Sequence, residues 1–77
     1  MKLRAKRMLE LMTIHRMSQA DLAAAIGASP SLISHVLKGR RRLNLLHSKR
    51  LINLFGADKM AYIIDWDAMG IQAPLGV

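Results

Sequence analysis

The sequence predicts an all-α protein of four or five short helices. Two observations carry this. Helix start signals at Ser18, Ser29-Pro30 and Asn44 alternate with glycine stops at Gly27, Gly39 and Gly56. Between them apolar residues recur at helical spacing, and no stretch shows the strict alternation of a half-buried strand. The 77 residues permit one domain. A core this small is marginal, so each long apolar run is needed for packing or for a partner.

The first helix is expected over residues 3–15, which are rich in good helix formers, with Met8, Leu11, Met12 and His15 at helical spacing. Ser18-Gln19-Ala20-Asp21 has the spacing of a capping box: the Ser18 hydroxyl accepts from the third residue's amide and Asp21 reaches back to the first turn. Leu22, Ala23 and Ile26 form one face of this second helix, and Gly27 suits a left-handed end. Ser29 caps a third helix, whose first position is Pro30, where no amide hydrogen is needed. Ile33, Val36 and Leu37 are its inward face, and Gly39 ends it. Asn44 caps a fourth, with Leu45, Leu51, Ile52, Leu54 and Phe55 as apolar positions. Asp58 is expected to cap a fifth over 59–69, and a short tail, 71–77, follows the 1–70 domain.

The stretch from Gln19 to Gly39 is the most informative. About three residues around Gly27 join the second and third helices, too few for a relaxed antiparallel turn, so the two must cross steeply. Ala23 is small where the next helix approaches, and Leu22, Ile26, Ile33 and Val36 fill the angle. Ala23, Gly27, Ile33 and Val36 thus have the internal spacing of a helix-turn-helix.

Residues 3–56 resemble the XRE family, the lambda-repressor-like DNA-binding domains. The resemblance rests on Ser18-Gln19-x-x-Leu22-Ala23-x-x-Ile26-Gly27, followed by Ser31-x-Ile33-Ser34-x-x-Leu37-x-Gly39 as the chain has it. The run Gly39-Arg40-Arg41-Arg42-Leu43-Asn44 also looks similar to the antitoxin branch of that family. The implied fold is a compact lambda-repressor-like domain. The implied partner is double-stranded DNA, with the third helix in the major groove, where its N-terminal residues meet base edges. On this pattern Pro30, Ser31, Ser34 and His35 face bases, Gln19 meets backbone phosphate, Ser29 adds a further DNA contact, and Lys38, Arg40, Arg41 and Arg42 run beside the groove. Pro30 departs from the pattern: it stands where a reader side chain is usual and offers only apolar contact. Specificity would then lean on Ser31, His35, the arginines and DNA shape.

Charge agrees with such a partner. The net charge is +7. Lys2, Arg4, Lys6, Arg7 and Arg16 crowd the first 17 residues, and Lys38, Arg40, Arg41, Arg42, Lys49 and Arg50 occupy 38–50 with no acid. Asp58, Asp65 and Asp67 reverse the sign near the C-terminus. One face is therefore expected to meet a polyanion, with Lys2, Arg4, Lys6 and Arg7 as a short flanking arm.

Other classes fit poorly. With no cysteine there is no disulfide framework or thiolate site, as suits a reducing cytoplasm. No segment is apolar for the roughly 18 residues a bilayer span needs, and the basic start is followed by no apolar run of a signal peptide. Aromatics are 4%, too few for single-strand stacking. His15 and His47 lack the spaced partners of a metal site, so neither metal nor cofactor is expected. No nucleophile, base and orienting group can be assembled, so an enzyme is not expected either. Met60, Ile63, Ile64 and Trp66 are too many apolar groups for one narrow stripe, and the surplus is expected to form a homodimer interface. The leading reading is a cytoplasmic, nucleoid-associated repressor that binds a palindromic operator as a homodimer. One rival is a DNA-binding antitoxin that also binds a toxin. Another is a basic module that sequesters an acidic protein.

Overall fold

The structure, a computed structural model, describes residues 1–70, so the expected tail lies outside the described residues. Its first helix, α1 (Ala5–Ile14), has no side-chain cap at Arg4. The chain before it is held by pairing instead: the Arg4 amide donates to the Ile63 carbonyl at 2.7 Å. Met8, Leu11 and Met12 face inward. The end of α1 differs from the glycine stops that follow. Arg16 takes the left-handed conformation with φ 54°, while the Met17 amide donates back to Met12 at 2.9 Å. The sequence carries no glycine to announce this turn.

α2 (Gln19–Ile26) starts in the expected capping box. Asp21 N–H donates to the Ser18 hydroxyl at 3.1 Å, and Ser18 N–H donates to the Asp21 carboxylate at 2.9 Å. Gly27 closes it in the left-handed conformation, φ 72°. α3 (Pro30–Leu37) follows at 110° to α2. Ser29 caps it, accepting from the Leu32 amide at 3.2 Å. Leu22, Ala23, Ile26, Ile33 and Val36 are all buried in the angle between the two helices.

α4 (Leu45–Phe55) is capped by Asn44, whose side-chain oxygen accepts from the His47 amide at 2.8 Å. Its inward face is Ser48, Leu51 and Phe55. Ser48 is satisfied in its buried place by donating to the Asn44 carbonyl at 2.7 Å. Leu45 and Leu54 do not join this face: they are 72% and 43% exposed. Leu54 is one residue from Phe55, about 100° around the helix, and so points to the side.

The C-terminal region corrects the expected helix over 59–69. α5 spans Ala57–Ile63 and begins after Gly56, so Asp58 lies in its first turn rather than at its cap. It stops because Ile64 is extended and bridges antiparallel to Leu3. A short 3-10 turn, Asp67–Met69, follows. The expected interface residues are corrected with it. Met60, Ile63 and Ile64 are 0%, 2% and 6% exposed and belong to the monomer core. Trp66 packs half-buried against that core and donates its indole N–H to the Ala61 carbonyl at 2.8 Å. A chain this short buries all three aliphatic groups because residues 1–4 and 63–65 lie side by side and add Leu3 and Ile64 to the helical core.

Candidate nucleic-acid interface

The candidate reading surface is built on the outward side of α3. Ile33 and Val36 fix that helix to the core. Pro30 and Ser31 are then exposed on its first turn, with Ser34 and His35 half-exposed one turn later. Ser29 spends its hydroxyl oxygen on the cap, which leaves the hydroxyl hydrogen free to donate. Gln19 is exposed at the first position of α2.

The basic loop is not a loose charge run. Gly39, at φ 74°, turns the chain back, and its amide donates to Val36 at 3.0 Å. The amides of Arg40 and Arg41 then both donate to the His35 carbonyl, at 2.9 and 3.3 Å. The other end is pinned by Leu43, which is buried and whose amide donates to the Met1 carbonyl at 3.0 Å. Lys38, Arg40, Arg41 and Arg42 therefore project from a backbone tied at both ends to the recognition helix and the core. All four are exposed, and none is ion-paired among the described residues. Unpaired cationic side chains on a tethered backbone suit phosphate, because little backbone freedom remains to be lost on binding. Nearby, the Met1 amine donates to the Leu43 carbonyl at 2.6 Å. Burial first, and then the Arg42 charge, holds its pKa below the usual 8.0.

The expected N-terminal arm divides. Arg4 reaches away to Asp65 and Asp67, at 3.7 and 3.4 Å. Arg7 lies 3.9 Å over the Tyr62 ring and donates to the Tyr62 carbonyl at 2.8 Å. Both are committed to the fold. Lys2 instead approaches Gly39 in the basic loop. Arg50 also departs from its expected membership in a charged face. It donates to the Ile26 carbonyl at 3.2 Å and so satisfies an orphan group at the end of α2. No local signal connects Arg50 to Ile26 or Lys2 to Gly39, because both contacts are made only when distant segments pack. His15 is exposed against the Phe55 ring, with centroids 5.2 Å apart. His47 is half-buried, and among the described residues its Nδ1 has no partner.

The helix pair, its 110° crossing and the basic loop behind it form the geometry of a helix-turn-helix unit. The family profile described as helix-turn-helix matches residues 8–59. The chain belongs to the XRE-type helix-turn-helix family. This match spans well over half of the chain, from within α1 into α5, and bears out the resemblance carried by Ser18 to Gly39. The helix-turn-helix protein is all-helical apart from the single Leu3–Ile64 bridge among the described residues, as the family fold requires. The family is one of DNA-binding transcriptional regulators and is generally non-enzymatic. No curated protein and no solved structure matches the chain. Among the described residues no helix is long and apolar enough to cross a membrane.

Proposed function

We propose that this helix-turn-helix protein is a repressor that binds a roughly palindromic double-stranded operator as a homodimer in the cytoplasm. The observation that carries DNA binding is the tethered, unpaired basic loop beside the exposed turns of α3. Lys38, Arg40, Arg41 and Arg42 supply the sequence-independent hold on phosphates. Ser31 and His35, with Ser34 behind them, supply the base contacts, and Gln19 and Ser29 meet the flanking backbone. Pro30 offers an apolar surface that suits a thymine methyl. A single unit reads only a few base pairs, so useful specificity needs two, with recognition helices roughly 34 Å apart. Interface residues in such a dimer come from exposed apolar groups, not from the buried Met60, Ile63 and Ile64.

Selection of bound sequences from a random duplex pool tests the assignment. The wild type is expected to enrich a two-fold symmetric site. His35→Ala should lose about 1–3 kcal/mol on that site and little on random DNA. Arg41→Ala should weaken both alike. Unchanged preference in both Ser31→Ala and His35→Ala would remove α3 as the reading element.

A second reading, the antitoxin, is favoured by one feature. A largely apolar groove of about 420 Å³ lies between α1 and α5, lined by Leu11, Ile14, Tyr62 and Ile63 together with the charged Arg7, Glu10, Asp58 and Lys59. None of its lining residues is on α2, α3 or the basic loop, so a protein seated there would leave the DNA face free. Co-purification of the product of an adjacent gene with the wild type, abolished by Ile14→Asp, would favour this reading.

A further inference from the structure

Residues 1–4 form an extended strap whose two edges are both used. Along one edge Met1 and Leu43 exchange hydrogen bonds, at 2.6 and 3.0 Å. Along the other, the Asp65 amide donates to Lys2 at 2.9 Å and the Arg4 amide to Ile63 at 2.7 Å. Leu3 is buried between them as the anchor. Because side chains alternate along extended chain, anchoring Leu3 inward turns Lys2 and Arg4 the other way. The two cations then meet opposite surroundings. Arg4 is neutralised by Asp65 and Asp67. The Lys2 side chain runs to the basic loop, its Cε 3.9 Å from where a Cβ on Gly39 would stand. Among the described residues it has no acidic partner there.

We propose that Lys2 is a phosphate contact held in place by this strap, completing the basic loop of Lys38, Arg40, Arg41 and Arg42. The proposal rests on the DNA-binding reading above and extends it to a segment outside residues 8–59, which the family profile matches. Like charges brought together without an acid repel one another, and a polyanion relieves that repulsion. The strap supplies what a flexible terminal lysine lacks, a backbone fixed at both edges, so that little freedom is lost on binding. Lys2 adds affinity for any duplex and no preference for sequence.

The test is the salt dependence of binding to a labelled random-sequence duplex, read by fluorescence anisotropy on the full chain. Lys2→Ala should flatten the slope of log affinity against log salt by about 0.9, the share of one phosphate. Lys2→Arg should keep the wild-type slope. Lys59→Ala, which removes the same charge from the groove beside α5, should also keep it. A wild-type slope in Lys2→Ala, or equal flattening by Lys59→Ala, overturns the proposal. So does a loss of helicity in Lys2→Ala by circular dichroism, because Lys2 would then be holding the fold. A wild type that fails to bind the duplex at low salt is a different result, which removes the DNA-binding reading itself.

Discussion

Two left-handed residues show how much a single position can carry. Gly27, at φ 72°, ends α2 where the chain must turn steeply into α3. A Cβ there would overlap the Arg50 guanidinium, which bonds the Ile26 carbonyl. The guanidinium can swing away, but the backbone strain stays. Gly27→Ala should therefore destabilise the fold by about 1–2 kcal/mol, as read from urea unfolding. Arg16 is the converse case, a non-glycine at φ 54°. Arg16→Gly should raise stability, by up to about 1 kcal/mol after the extra chain entropy of glycine is offset. A lower melting point in Arg16→Gly would show that the arginine side chain contributes contacts outweighing its backbone strain. Gly27 was legible from sequence because glycine announces the conformation. Arg16 was not, because only the Met17–Met12 hydrogen bond shows the turn.

At the scale of the element, local signals fixed most helix starts and one tertiary pairing fixed a helix end. Ser18, Ser29 and Asn44 each cap the helix the sequence assigned to them. In the α2 capping box, the amide and then the hydroxyl of Ser18 hold the Asp21 carboxyl below its ordinary 3.8. An acid whose folded pKa is depressed stabilises the fold fully above its unfolded value. That contribution is lost as pH falls through the lower folded value. Stability followed between about pH 2 and pH 6 should therefore decline on the acid side, with part of the decline absent in Asp21→Asn, which no longer titrates. Identical pH profiles would mean that the box contributes no linkage. Helix α5 obeys no such local rule. Residues 59–69 contain good helix formers past Ile63, yet the helix stops there because Ile64 pairs with Leu3, 61 positions away in sequence.

For the molecule as a whole, closing the core changes the expected assembly. Met60, Ile63 and Ile64 are inside one chain, so a charge at Ile63 attacks folding and not association. Ile63→Asp should lose helicity by circular dichroism, where an interface residue would yield a folded monomer. The large apolar groups left outside are Leu9 and Ile14 on α1, Leu45, Leu46 and Leu54 on α4, and Tyr62 on α5, with Ile14 and Tyr62 sharing the groove between α1 and α5. A stable interface buries roughly 1,200–2,000 Å², and six side chains divided among three helices are expected to fall short of that in the free protein. Sedimentation should therefore find the free protein largely monomeric, with two copies binding together on operator DNA. One copy per operator at saturation would remove the homodimer from the proposed function.

The sequence by itself determined the helix-turn-helix. Its signals are local: a hydroxyl or amide side chain at each cap, glycine at the steep turn, and Ala23, Ile33 and Val36 at the spacing that fills a 110° angle. It also determined the basic stretch, since charge is a property of composition and position. Tertiary structure alone decided which cations are free to meet DNA. Arg4, Arg7 and Arg50 look like Lys2, Arg40 and Arg41 in the sequence, but the first three are held by Asp65 and Asp67, by Tyr62 and by the Ile26 carbonyl. It alone decided, too, that the last apolar residues close the core. Both outcomes depend on residues 1–4 reaching Leu43 and 63–65, contacts between distant segments that no periodicity or spacing along the chain encodes.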